Sequence, residues 1–123
     1  MTPESGDRVT GVVIRVAGSR WFLPVEAVVE VLRDRQVARL PGTPAAVLGV
    51  VNHRGRVLTV ADPVRALGLP GEGVAARDLV VVEAGPRRFV VAVDAVIELL
   101  AEPRTGLALL DLDAVARTLF GAT

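Results

Sequence analysis

Four polar residues, Asn52-His53-Arg54-Gly55, separate the apolar stretches at residues 49–51 and 57–60. They include the chain's single histidine, and two arginines (Arg54 and Arg56) flank the glycine. An imidazole here could act as a general base or a metal ligand, and the arginines could hold an anion. Each of those roles needs company. Acid–base or nucleophilic chemistry requires a nucleophile and an orienting group within hydrogen-bond reach. The chain has no cysteine or tyrosine, and its only serines are Ser5 and Ser19. His53 with Asp62 is the one pairing left. A metal site lacks ligands, because no second histidine or any cysteine joins His53. Residues 42–49, GTPAAVLG, lack the Lys-Ser/Thr ending that a phosphate loop needs. No catalytic, metal or cofactor residue is assigned, and the chain reads as a non-enzyme.

The plain physical reading of the cluster is a hairpin tip. Gly55 supplies a positive φ, and the Asn52 side chain bonds to nearby backbone. The residues before and after it then form the two strands.

Bulk composition narrows the classes. A chain of 123 residues suits one domain that buries about two-thirds of its unfolded surface. It is 51% hydrophobic but only 3% aromatic, so its core is aliphatic. Fourteen arginines balance fourteen acids, and no lysine is present. Zero net charge argues against a phosphate-neutralising grip on nucleic acid, and scarce aromatics leave little for base stacking. No apolar run approaches the roughly twenty residues of a membrane span, and residues 1–11 lack a signal-peptide pattern. The expectation is a cytoplasmic protein with neither nucleic-acid binding nor direct membrane insertion.

The supporting elements come in two related copies. Residues 12–32, VVIRVAGSRWFLPVEAVVEVL, align with residues 80–100, VVVEAGPRRFVVAVDAVIELL, at a constant offset of 68. Arg20 and Glu30 recur as Arg88 and Glu98, and Val29 faces Ile97. Each copy opens as a hairpin of alternating apolar residues. Val25, Val28, Val29 and Leu32 then recur at helical spacing, as do Val93, Val96, Ile97 and Leu100, which predicts a turn or two of helix. Thr43, Pro44 and Gly49 predict a short helix before a strand at Val50, and Asp62, Pro63 and Gly68 another. Residues 106–110 read as a late strand and 113–120 as a terminal helix. Setting Asp62 against Asp111 gives an offset of 49, so the second half lacks about nineteen residues, including any mate of the Asn-His-Arg-Gly hairpin. Its sheet should be smaller or open. The chain is one domain, 1–123, with halves 1–70 and 71–123.

Residues 22–32 (FLPVEAVVEVL), 40–63 (LPGTPAAVLGVVNHRGRVLTVADP), 89–100 (FVVAVDAVIELL) and 109–115 (LLDLDAV) resemble the CheW-type chemotaxis coupling proteins and the related regulatory domain of their histidine kinases. The resemblance runs from about Val12 to Phe120 and is most specific around the Asn-x-Arg-Gly turn. It implies a mainly β fold of two SH3-like barrels packed together, to which the residues themselves add short helical turns and a C-terminal helix, and from which the loss of about nineteen residues departs by leaving the second barrel incomplete. It also implies a non-catalytic adaptor joining the cytoplasmic tip of a chemoreceptor to the regulatory domain of a histidine kinase. Asn52, Arg54 and Gly55 match the family turn, and Glu30 matches an acidic position that pairs with that arginine. Partner contacts are therefore expected at Glu30, Asn52, His53, Arg54 and Gly55, with Val28, Val29, Val31, Val47 and Leu48 lining an apolar groove. His53 stands where the family commonly has an apolar residue. Glu98 has no arginine equivalent to Arg54 and is left free. A divergent regulatory or small-ligand-binding module is the alternative, and it requires a closed apolar pocket. Unpaired strand edges offer self-association as a further partner contact.

Overall fold

The computed structural model describes residues 9–102 and 104–121. Alternating aliphatic residues build a hairpin from β1 (Gly11–Val16) and β2 (Ser19–Pro24), turned by Ala17 and Gly18 at φ 50° and 85°. Two positive φ values match the turn's twist to that of the strands. The copy at offset 68 is β6 (Asp78–Ala84) paired with β7 (Arg87–Val93). Each hairpin leads into a further strand, β3 (Val28–Arg33) in the first half and β8 (Ala95–Leu100) in the second. Between the copies lie β4 (Val47–His53), β5 (Arg56–Ala61) and helix α1 (Pro63–Leu67). The chain closes with β9 (Ala108–Leu109) and helix α2 (Leu112–Phe120).

Among the described residues nine strands form two sheets, ordered β8-β1-β2-β9 and β3-β6-β7-β5-β4. The third strand of each copy crosses over: β3 pairs with β6 of the second half, and β8 pairs with β1 of the first. The two parallel pairings also correspond. Val60 of β5 lies beside Val90, and Leu109 of β9 lies beside Phe22. Those are the same places once the offsets of 49 and 68 are applied. A strand corresponding to β4 is missing among the described residues of the second half, as the shortened repeat predicts.

Two apolar clusters fill the molecule. One lies between the sheets and unites Val12, Ile14, Leu23, Val80, Val82, Phe89, Val91 and Val93 with Val64 of α1 and Val115 of α2. The other lies within the five-stranded sheet and holds Leu32, Val51, Leu58, Val60, Leu79, Val81, Val90 and Ala92. Successive residues of β6 and β7 serve different clusters, so both strands are buried on both faces and read as continuous apolar runs.

The mainly β reading holds, with three differences. Neither sheet is closed into a barrel by backbone hydrogen bonds: β3 and β4 have residues 34–46 between them and share no ladder, and the other sheet has only four strands. The helix expected after each hairpin shrinks to one 3-10 turn, Val25–Ala27. The helical spacing there comes from a strand with an extra residue, since Val28 and Glu30 pair with the consecutive residues Val82 and Val81, leaving Val29 as a bulge. Residues 43–49 form no helix either. Gly49 lies in β4 at a second bulge, where a Cβ would overlap the Ala38 carbonyl oxygen. The cap at Asp62 is present. Its carboxylate accepts from the N–H groups of Val64 (2.9 Å) and Arg65 (3.4 Å), and Gly68 ends the helix at φ 67°. No helix among the described residues is long and apolar enough to cross a membrane.

Candidate partner-binding site

Arg54 and Gly55 form the two-residue turn between β4 and β5, at φ 53° and 84°. A turn of this type wants positive φ at both positions, and an arginine at the first carries strain of about 1 kcal/mol. The Asn52 carboxamide oxygen braces the turn by accepting from the Gly55 N–H at 3.1 Å. The Arg35 guanidinium donates to the Asn52 carbonyl at 2.9 Å, and Ala38 exchanges two backbone hydrogen bonds with Val50. The connection from β3 therefore covers part of the outer edge of β4.

Glu30 reaches this turn from the opposite margin of the same sheet. Four inter-strand steps separate β3 from β4, roughly 19 Å if the sheet were flat. Yet His53 Nε2 lies 2.9 Å from Glu30 Oε1, and Arg54 donates to the same oxygen from Nε (3.3 Å) and Nη2 (3.1 Å). The sheet must therefore curl until its margins meet, and side chains close what the backbone leaves open. The bulge at Val29 aims Glu30 at this junction, a common use of a bulge beside a site. The hydrogen bond from His53 is the largest influence holding the Glu30 carboxyl below its ordinary value near 4.5, and the Arg54 guanidinium adds to it against partial desolvation.

The second half repeats the bulge and the acid. Val13 and Ile14 pair with Glu98 and Val96, leaving Ile97 (the mate of Val29) as the extra residue. Glu98 is not free, contrary to expectation. Arg104, from the loop between β8 and β9, forms a bidentate pair with it, Nη1 to Oε1 at 2.7 Å and Nη2 to Oε2 at 3.2 Å. That bond lowers the Glu98 pKa and raises that of Arg104. Only a lone arginine six residues after the acid hinted at this pair, and the offset-based alignment has no position for it.

The expected site residues thus fall into groups. Glu30, His53 and Arg54 converge, with Asn52 and Gly55 shaping the turn. His53 is only 2% exposed, so it braces Glu30 from within instead of standing at a solvated tip. Its Nδ1 has no hydrogen-bond partner among the described residues. Val47 and Leu48 line an open cleft with Arg39, Asp62 and Arg65. Val28 packs against the seam between the sheets, Val31 is half-buried outside both clusters, and Val29 is 39% exposed. The three clefts described are all open to solvent and bounded in part by charged residues, so none is the closed apolar pocket that a small-ligand module requires.

Comparison with known proteins places this geometry in context. A family model described as "CheW-like domain" matches residues 10–118. The chain is similar to Protein FrzA of Myxococcus xanthus, at 47% identity over 53 residues, which is 43% of this chain and 33% of FrzA. It is 31% identical over 98 residues to the "Probable chemotaxis protein CheW" of Rhizobium etli, covering 79% of this chain and 63% of that protein. Among solved structures it resembles the scaffolding protein TtCheW from Thermoanaerobacter tengcongensis, with a TM-score of 0.66 and 28% identity over 76% of this chain and 64% of the other. The matches thus span between a third and just under two-thirds of these relatives' own lengths.

Proposed function

The chain belongs to the CheW-like domain family, and from that premise we propose that it is a cytoplasmic, non-catalytic adaptor coupling the tip of a chemoreceptor to the regulatory domain of a chemotaxis-type histidine kinase. One observation carries the reading. A strained, exposed arginine is held at the meeting of two sheet margins by an acid that a buried histidine braces, and its backbone strain is kept although the arginine performs no visible chemistry. Backbone strain of this kind persists where a site needs a side chain in one place. In this reading Glu30, Asn52, Arg54 and Gly55 meet the receptor, His53 fixes Glu30 from behind, and Val28, Val31, Val47 and Leu48 supply apolar margins. Half-exposed aliphatic residues give modest affinity, at about 25 cal/mol per Å² buried. Several weak contacts on one scaffold then act together through effective concentration.

Reconstitution tests it. Receptor-tip fragment and kinase are mixed with and without the chain, and kinase turnover and co-sedimentation are followed. The expected result is receptor-dependent turnover and a ternary sediment only when the chain is present. Turnover that ignores the chain, with no sediment containing all three, would overturn the proposal.

A further inference from the structure

The internal repeat contains its own control. Glu98 and Arg104 meet end-on, two nitrogens on two oxygens, so each fork saturates the other. Glu30 is the repeat-mate of Glu98, but Arg54, which has no counterpart in Arg104, meets it side-on, with Nε and Nη2 converging on Oε1 alone. His53 already donates to that oxygen, so Glu30 is held in place without a closed fork. Among the described residues Arg54 Nη1 has no partner, and the side chain is 76% exposed. With the Nε/Nη2 edge taken by Glu30, the Nη1/Nη2 edge, which is also suited to bidentate grip of a carboxylate, is left open. Two more arginines stand at the same tip. Arg56 lies across the hairpin from His53 and is exposed, and Arg35 is tied to the Asn52 carbonyl.

We infer that the outward edge of Arg54, flanked by Arg56 and Arg35, is a seat for a carboxylate side chain of the docked receptor. This rests on the adaptor reading and adds the chemistry of its partner: an aspartate or glutamate, bound in the planar two-point geometry that arginine offers and lysine does not. His53 holds Glu30 Oε1 from within, on the side of the acid away from this open edge.

The test is a binding titration with a purified chemoreceptor-tip fragment, with thermal unfolding run on each variant. Arg54→Lys keeps the charge and loses the fork, and should weaken binding about tenfold or more, with Arg54→Glu weaker still and the melting temperature kept. Arg56→Glu should weaken binding less and reduce its salt dependence. Arg104→Gln, on the closed pair, should leave receptor affinity as in the parent. Changing the receptor's acidic residues singly to amides should identify one whose loss weakens the parent but not Arg54→Lys. If Arg54→Lys binds like the parent, or no single receptor acid couples to Arg54, the seat is refuted while the adaptor reading stands. If the parent chain binds neither receptor nor kinase, both fall.

Discussion

His53 and Arg54 are neighbours in sequence with opposite duties, and stability measurements should separate them. His53 is buried and donates to Glu30, so His53→Ala leaves a void and removes the shortest hydrogen bond to the acid, leaving it to Arg54 alone. It should destabilise the fold by about 1–3 kcal/mol, read from the denaturant midpoint. Arg54 is mostly exposed and sits at φ 53°. Arg54→Gly relieves backbone strain and should leave stability unchanged or slightly raised, even though the ion pair is gone. The pH dependence has a definite sign. The Glu30 carboxyl is held below its ordinary value in the folded state, so as pH falls the unfolded chain takes up that proton first. The stabilising effect is complete above about 4.5 and disappears as pH drops through the lower, folded value. Parent and Glu30→Gln should therefore differ most in denaturant midpoint near neutral pH and converge in acid. A constant difference across that range would contradict the role assigned to the carboxylate.

At the scale of elements, local grammar was legible where side chains act on their own backbone. The Asp62 cap, the Gly68 stop and the Asn52–Gly55 turn all follow from residue type. Asp62→Ala should cost about 1 kcal/mol by removing the cap on α1, and Asp62→Asn should retain most of it. What misled was spacing across a bulge. One extra residue at Val29, repeated at Ile97, shifts an alternating strand into a pattern that mimics a helix face. The glycine at position 49 misled for a related reason. It stops no helix, and its missing side chain admits the Ala38 carbonyl against β4. Gly49→Val should displace that segment, break the Ala38–Val50 bridge and destabilise by about 2 kcal/mol or more. Faster amide exchange at Val50 would report the displacement directly. The Glu98–Arg104 pair is not legible in the sequence, because a loop supplies the arginine and no periodicity governs a loop.

For the whole molecule, the duplication was visible in the offset of 68, but the crossing of strands between halves was not, since sequence alignment carries no information about which strand sits beside which. Each sheet mixes strands of both halves, with β3 beside β6 and β8 beside β1, and the larger cluster draws on both halves. α2 adds a tie, with Phe120 edge-on to Phe89 at 5.9 Å and the Arg87 guanidinium 4.8 Å above its ring. Neither half has a self-sufficient core. A single cooperative unfolding transition is expected, coincident by far-UV circular dichroism and tryptophan fluorescence. Two separated transitions would show that the halves are autonomous.

The missing counterpart of β4 among the described residues has a geometric outcome. Ancestral doubling gives a body whose two ends are interchangeable, and pieces with interchangeable ends can be turned around without notice. Here one end keeps a hairpin and an open arginine fork while the other keeps a short loop and a saturated one. The body has acquired a front and a back, and anything assembled from it inherits a direction.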